Sequence, residues 1–390
     1  MRRATRLLMA GDFFPDLEFT HDTLPATHSA AFAGHAILLI LCSDESGWRM
    51  QEQVIAKKVA LFCEALPVLV AMFTETAHAA SPAAKQYRVR CSVARPLFFS
   101  GGREQNTRVI LIGRDGKILW LDDLNTQDDV LCAEIAANIG INSSGRVPPV
   151  LVVERAIPKG LCADLISSYI DSEHKVQGRV GLSAPKMDET RKRVSHINLS
   201  PELARAVDWH LIYSLLPMLE RCFDVRLSHR VAYKVALYDA ADAGFFNSHR
   251  DNSDAGTSFR RYALSLALND DWFGGGLNFP EYSDHLYRIG AGNALIFPVS
   301  LLHRVEPVKQ GQRFVLLSFL YAENGARERR EQMPDPSLLD GVYSDTIDTQ
   351  LMQDYYQFYA PVSRFQPHYQ SNVGDPDFIT QWRNKSGTSQ

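Results

Sequence analysis

His249 and Asp251 stand two residues apart in the stretch Asn247-Ser248-His249-Arg250-Asp251-Asn252. On an extended backbone that spacing sends both side chains out of one face. His303 follows in the apolar run LIFPVSLLHRV, which has the pattern of a buried strand, and Arg313 heads the next apolar run, RFVLLSFLY. Two imidazoles and one carboxylate form the facial ligand set that holds non-haem Fe(II) and leaves open coordination positions. An arginine nearby suits the carboxylate of an acid co-substrate, because its planar fork binds one through two parallel hydrogen bonds. The same residue types also occur as satisfied strand histidines and a surface charge. The ordered set of four therefore carries more than the His-x-Asp alone.

These residues need elements to position them. Short strands dominate up to about residue 321, with turns at DAADAG, NSDAGTS, DDWFGGG and KQGQ, which indicates a sandwich or barrel. Tyr238 ends one such strand. Gly274-Gly275-Gly276 reads as a tight turn with no binding role. Arg260 and Arg261 precede the strand YALSLAL and face either the pocket or the solvent. His196 and His285 read as ordinary loop histidines, and the clusters at 191–193 and 327–330 as solvated loop charge. Upstream, VLVVERAI predicts a strand and residues 158–171 an amphipathic helix with Leu161, Leu165, Ile166, Tyr169 and Ile170 on one stripe. Residues 174–196 read as a long polar loop of the lid or recognition type. Residues 200–223 predict a long helix capped by Ser200, opened by Pro201 and kinked or broken at Pro217. From 326 to 390 a helical and irregular extension is expected, with a helical stretch near 346–358.

The N-terminal part alternates differently. HAILLILC (35–42) and PVLVAMF (67–73) are buried-strand candidates flanking helical spacing over 48–66. RVILIGRDGKILWL (108–121) predicts a hairpin turning at Asp115-Gly116, and residues 128–140 an amphipathic helix. This order suggests a three-layer α/β unit over 1–145, joined by a polar linker at 141–150.

The chain has 390 residues, 45% hydrophobic and 22% charged, with a net charge of −4. That length favours two domains. The charge offers no electrostatic case for nucleic acid or an anionic membrane as partner, and no stretch has the length to span a bilayer. Six scattered cysteines without a CxxC suit a reducing cytoplasm, the expected location.

Residues 151–325 resemble the 2-oxoglutarate/Fe(II)-dependent oxygenases, in particular the prolyl-hydroxylase-like branch with its HxD…H…R pattern. The resemblance rests on His249-Arg250-Asp251-Asn252, Gly275-Gly276-x-x-Phe279, Gly290 to Phe297, and His303-Arg304-Val305-x-Pro307-Val308-x-x-Gly311-x-Arg313. It implies a double-stranded β-helix (jelly roll) with flanking helices. It also implies that His249, Asp251 and His303 are both metal ligands and the catalytic set, with Fe(II), 2-oxoglutarate and O₂, and ascorbate as a candidate reductant. Arg313 would take the distal carboxylate of 2-oxoglutarate. Tyr238 is placed like the family tyrosine that helps hold the co-substrate, and equally suits a tyrosine packed at a strand end. The implied reaction is hydroxylation of a protein side chain or a small metabolite, releasing succinate and CO₂. Related halogenases lack the carboxylate ligand, so Asp251 favours hydroxylation.

Residues 1–145 resemble the thioredoxin-fold peroxiredoxins through GDFFPDLEF, the strand HAILLILC and the hairpin GRDGKIL. Here the stretch where that family carries its peroxidatic cysteine is SDESGWRMQE, without sulfur, while Cys42 sits at a strand end away from a helix N-terminus. The expected fold class is thus a thioredoxin-like α/β domain without redox turnover, followed by a mainly β jelly roll. The alternatives are a non-catalytic binding or sensing protein on a redoxin scaffold, and a thiol peroxidase, which the missing cysteine motif disfavours.

Overall fold

Period-two alternation organises the C-terminal half, and one strand shows it well. Along Lys234–Asp239, Val235 and Leu237 face a layer of helices while Ala236 and Tyr238 face a second sheet. The computed structural model describes residues 146–332 apart from 174, 178, 181–185 and 188–190. N-terminal to these it describes 7–10, 12–15, 18–20, 27–28, 33–42, 53–54, 57–58, 69–74, 85–89, 107–123, 130 and 132–137, and beyond them residue 357.

Seven strands form the N-terminal sheet: β1 (Glu18–Thr20), β2 (Thr27–His28), β3 (Ile37–Cys42), β4 (Leu69–Thr74), β5 (Lys85–Val89), β6 (Thr107–Ile112) and β7 (Ile118–Asp123). Their order is β2-β1-β5-β4-β3-β6-β7. β3 runs parallel to β4 and β4 to β5, whereas β6 is antiparallel to both β3 and β7. The β6–β7 hairpin turns where the sequence predicts. Gly116 adopts φ 82°, a conformation costly for other residues, and its N–H donates to the Gly113 carbonyl. Of the helix expected over 48–66 only residues 53, 54, 57 and 58 are described, and they are helical, as are 130 and 132–137. The SDESGWRMQE stretch, residues 141–145 of the linker and, apart from residue 357, the helical stretch expected near 346–358 fall outside the described residues.

The second half contains β8 (Leu151–Val153), α1 (Lys159–Ile170), β9 (Val176–Gln177), β10 (Arg179–Val180), β11 (Lys186–Met187), β12 (Lys192–Arg193) and β13 (Ser195–Asn198). Then come α2 (Pro201–Ser214), α3 (Leu216–Phe223), β14 (His229–Arg230), β15 (Lys234–Asp239), β16 (Phe245–His249) and β17 (Tyr262–Ala267). β18 (Phe273–Gly274), β19 (Leu277–Asn278), β20 (Leu286–Tyr287), β21 (Ala294–Pro298), β22 (His303–Val305), β23 (Val308–Gln310), β24 (Gln312–Tyr321) and α4 (Glu323–Gln332) complete it.

Two sheets face each other, as a jelly roll requires. The larger follows β8-β21-β17-β24-β15-β13-β9, with β14 also on β24, and the smaller follows β12-β16-β22-β19-β20. Between them lie Ala236, Tyr238, Leu277, Phe279, Phe297 and Val305. The outer face of the larger sheet, through Val235, Leu264, Leu266, Ile296, Phe314 and Leu316, packs on α1–α3. Removing that face from water favours folding here.

The long helix breaks as expected. Ser200 accepts from the Leu203 N–H at its start, and Pro217 opens the second segment after a junction at Leu215. The 174–196 segment is not a loop throughout. It contributes the short strands β9 to β13, and β13 completes the larger sheet by pairing His196 with Ala236. The extension begins earlier than expected, with α4 starting at Glu323. It clasps the site segment, since Glu328 accepts from the Ser258 hydroxyl and the Arg261 guanidinium.

Candidate active site

Each predicted ligand arrives on a different piece of backbone. His249 ends β16 and His303 opens β22, and these two residues are direct partners in the antiparallel pair. Asp251 lies in the turn after β16, where its N–H donates to the Val299 carbonyl at 3.0 Å. The three side chains converge, with potential ligand atoms all within 4.8 Å of one another. His249 Nε2 is 3.4 Å from Asp251 Oδ1, and His303 Nε2 is 3.3 Å from Asp251 Oδ2. Donors bound about 2.1 Å from one cation at near-right angles would stand about 3 Å apart, so this spacing suits a single metal ion.

The outer nitrogens strengthen the fit. His249 Nδ1 is 2.8 Å from the Asn247 carbonyl and His303 Nδ1 is 2.9 Å from the Leu301 carbonyl. A carbonyl can only accept, so both Nδ1 atoms carry the proton and Nε2 is left as the ligating lone pair. Burial opposes ionisation of Asp251, but the two imidazoles beside it prevail and hold its carboxyl well below the usual carboxylate range. Burial, helped by His303, pushes the His249 imidazole down. Burial also works against protonated His303, yet Asp251 outweighs it and raises that imidazole. The histidines share one carboxylate, so the metal-free trio takes up its proton as a unit, mainly on His303.

Arg313 and Tyr238 sit in the same cavity, of about 320 Å³. They are direct partners across β15 and β24. The Arg313 guanidinium carbon lies 5.2 Å from the Tyr238 ring centroid and 5.3 Å from that of Trp272. Arg313 is 6% exposed, and its Nε has no hydrogen-bond partner. Burial lowers the pKa of this guanidinium, with Tyr238 acting the other way. A buried guanidinium without a carboxylate is costly unless a ligand brings one, which is what a dicarboxylic co-substrate would supply. Burial pushes the Tyr238 hydroxyl up to about 12, so it remains a neutral donor. The glycine turn also shapes this end of the cavity. A side chain at Gly275 would meet Val308 Cγ2 at 2.7 Å and Arg313 Cδ at 3.2 Å.

The two arginines with open assignments part company. Arg260 lines the cavity, stacked 3.8 Å over Phe319 and donating to the Asp251 carbonyl at 3.2 Å. Arg261 turns to Glu328 on α4. His285 is an exposed loop residue, as expected. His196 is not a loop histidine: it lies on β13, lines the cavity, and burial with Lys234 and Lys192 nearby pushes its pKa down to about 3.

Sequence reasoning missed a clamp beneath the ligands. Arg250 donates through both terminal nitrogens to Glu281, at 2.6 and 3.0 Å, and also to the Ser300 carbonyl. Glu281 accepts in turn from the Leu302 N–H at 3.1 Å. The clamp ties the His249–Asp251 segment to the turn that delivers His303. Its sequence signal was slight, because Arg250 lies inside the motif without being a ligand and Glu281 sits in a loop.

Residues 233–321 match the 2OG-Fe(II) oxygenase superfamily. A PKHD-type hydroxylase of Synechococcus elongatus is 34% identical over 97 residues, covering 23% of this chain and 44% of that protein. One from Rhizorhabdus wittichii is 39% identical over 92 residues, covering 21% of this chain and 40% of its own. The chain thus spans less than half the length of these relatives. A Pseudomonas putida prolyl-4-hydroxylase structure aligns over 45% of this chain and 94% of its own, with 21% identity and a TM-score of 0.35. Residues 233–321 of this chain are a 2OG-Fe(II) oxygenase domain.

Proposed function

We propose that this protein is an Fe(II)- and 2-oxoglutarate-dependent hydroxylase acting on a protein side chain or a small metabolite. The observation that carries this reading is the union in one cavity of the His249–Asp251–His303 trio with a buried Arg313 that has no carboxylate partner among the described residues. When bound, Fe(II) with 2-oxoglutarate and O₂ supplies oxidative decarboxylation, which yields succinate and CO₂ and adds one oxygen atom to a substrate carbon. The protein's own residues do the positioning. His249 and His303 present Nε2 because the Asn247 and Leu301 carbonyls hold their Nδ1 protons. Asp251 stays ionised and contributes the charged ligand. Arg313 takes the distal carboxylate of 2-oxoglutarate, and Tyr238 packs against the guanidinium and donates its hydroxyl towards the co-substrate. Phe297 and Val305 keep the cavity wall apolar and limit water. The PKHD-type hydroxylase relatives support the same reaction class. Succinate formation from 2-oxoglutarate by the full-length protein, dependent on Fe(II) and O₂ and abolished in His249→Ala, tests the reading. No succinate above the His249→Ala background would refute it.

We further infer that residues 1–145 form a thioredoxin-like domain of the peroxiredoxin type without peroxidase chemistry. The strand order β2-β1-β5-β4-β3-β6-β7, with parallel β3, β4 and β5 and antiparallel β6 and β7, supports the fold. Cys42 belongs to β3, a strand, whereas a thiol is activated at a helix N-terminus. Peroxide consumption that disappears in full-length Cys42→Ser would overturn this.

A further inference from the structure

We propose that the substrate of this site carries an anionic group, a carboxylate or a phosphate, received by Lys192 together with Arg191 on the cavity wall. This inference rests on the hydroxylase reading above and names the class of molecule it acts on.

The local backbone aims Lys192 inward. β12 is the edge strand of the smaller sheet, and Lys192 is the direct partner of Phe246 on β16. Its ammonium nitrogen lies 4.9 Å from the Phe246 ring centroid, and that ring stacks 3.6 Å from the His249 ring. One aromatic ring thus separates a cation from a metal ligand. Alternation sends the next residue outward: Arg193 lies over Phe245 and donates to the Asp242 carbonyl. The cluster at 191–193 is therefore not the solvated loop charge that its composition suggests.

The cavity has a surplus of positive charge. Its lining includes six arginines and lysines against two acids, Asp251 and Asp254. Asp251 lies between the two histidines, and of the cations Arg250 is held by Glu281. No carboxylate pairs with Lys192 among the described residues. Burial, then Lys234 and Arg191, pushes the Lys192 ammonium down to about 8. Like charges crowded at a half-buried wall are destabilising until a counter-ion arrives, and such a wall concentrates anions from solution.

2-Oxoglutarate does not account for this charge. Its arginine, Arg313, is opposite Tyr238, whereas Lys234, whose field reaches Lys192, is four residues back along β15. At strand rise that separation is about 13 Å. The cavity thus has two positive poles, one at Arg313 for the co-substrate and one at Lys192 with no co-substrate to fill it.

The full-length protein loaded with Mn(II) and 2-oxoglutarate provides the test. Inorganic phosphate and acetate are titrated separately, and the readout is paramagnetic relaxation of the phosphate phosphorus or the acetate methyl protons by the bound ion. We expect saturable relaxation with at least one anion. Saturation by phosphate alone assigns a phosphate group, and saturation by acetate alone assigns a carboxylate. Lys192→Met should weaken that binding by roughly tenfold, the scale of a lost hydrogen bond to a charged group, and Lys192→Glu should abolish it. Arg193→Met, which alters the outward neighbour, should bind the anion as the parent does. No saturable relaxation in the parent, equal binding in Lys192→Glu, or equal loss in Arg193→Met would each overturn the inference. Failure of the parent to take up Mn(II) and 2-oxoglutarate together, seen before any anion is added, would instead overturn the hydroxylase reading and this inference with it.

Discussion

Arg313 and Tyr238 face one another across β24 and β15, with the guanidinium carbon 5.2 Å from the ring centroid. No carboxylate joins them among the described residues, although both are buried. The pair orients a charged fork in a buried wall of the cavity, and the fork geometry matters more than the charge alone.

Arg313→Lys should therefore weaken 2-oxoglutarate binding by about tenfold or more, since one point charge replaces two parallel hydrogen bonds. Mn(II) binding should persist in this variant. Calorimetric titration of the Mn(II)-loaded variant checks both, and an unchanged affinity for 2-oxoglutarate would remove Arg313 from the site.

Gly275→Ala should act on the same residue from behind. Gly275 adopts φ 59°, and an added Cβ would press on Val308 and the Arg313 stem. The strained backbone and the contact together should cost about 1–3 kcal/mol of stability. They should also raise the KM for 2-oxoglutarate, because Arg313 must shift. Thermal unfolding combined with steady-state kinetics distinguishes this from simple destabilisation, which would leave that KM unchanged.

Metal affinity should fall on acidification in a direction fixed by the trio. Beside Asp251, His303 holds a proton above the ordinary imidazole value of 6.5. In the metal-free protein that contribution to stability is complete below the unfolded value and is lost as pH rises through the folded one. A metal needs the neutral ring, so Mn(II) affinity should drop by about tenfold per pH unit below the raised pKa, with one proton displaced per ion. Equilibrium titrations between about pH 6 and 8 measure the slope. A flat profile would contradict the described electrostatics.

Arg250→Ala should loosen the metal site without removing a ligand. The variant frees Glu281 and the turn before His303, and loss of a supporting partner of this kind costs roughly 10–100-fold in metal affinity. Mn(II) titration is the check. A large loss of 2-oxoglutarate affinity at saturating Mn(II) would show that the clamp does something else.

The ligand trio and Arg313 were legible in the sequence because each announces itself locally, by a two-residue spacing or at the edge of an apolar run. The Asp115-Gly116 hairpin and the helix break at Pro217 were legible for the same reason, since one residue's backbone preference decides each. The strand role of Lys192 was not. β12 is two residues long in a polar stretch, too short for any period, and it becomes a strand only by pairing with Phe246 far along the chain. His196 was misread likewise, because β13 acquires its identity from pairing with β15. The Arg250–Glu281 clamp joins residues whose separation leaves no pattern, and only the fold brings them together.

The most direct measurement follows the oxygen atoms. Full-length protein supplied with Fe(II), 2-oxoglutarate and ¹⁸O₂ should release succinate carrying one ¹⁸O in its new carboxylate, because oxidative decarboxylation divides O₂ between succinate and the substrate or solvent. His249→Ala and Asp251→Ala should release none. Unlabelled succinate, or labelled succinate formed equally by both variants, would contradict the assignment of His249, Asp251 and His303 as the centre where 2-oxoglutarate and O₂ react.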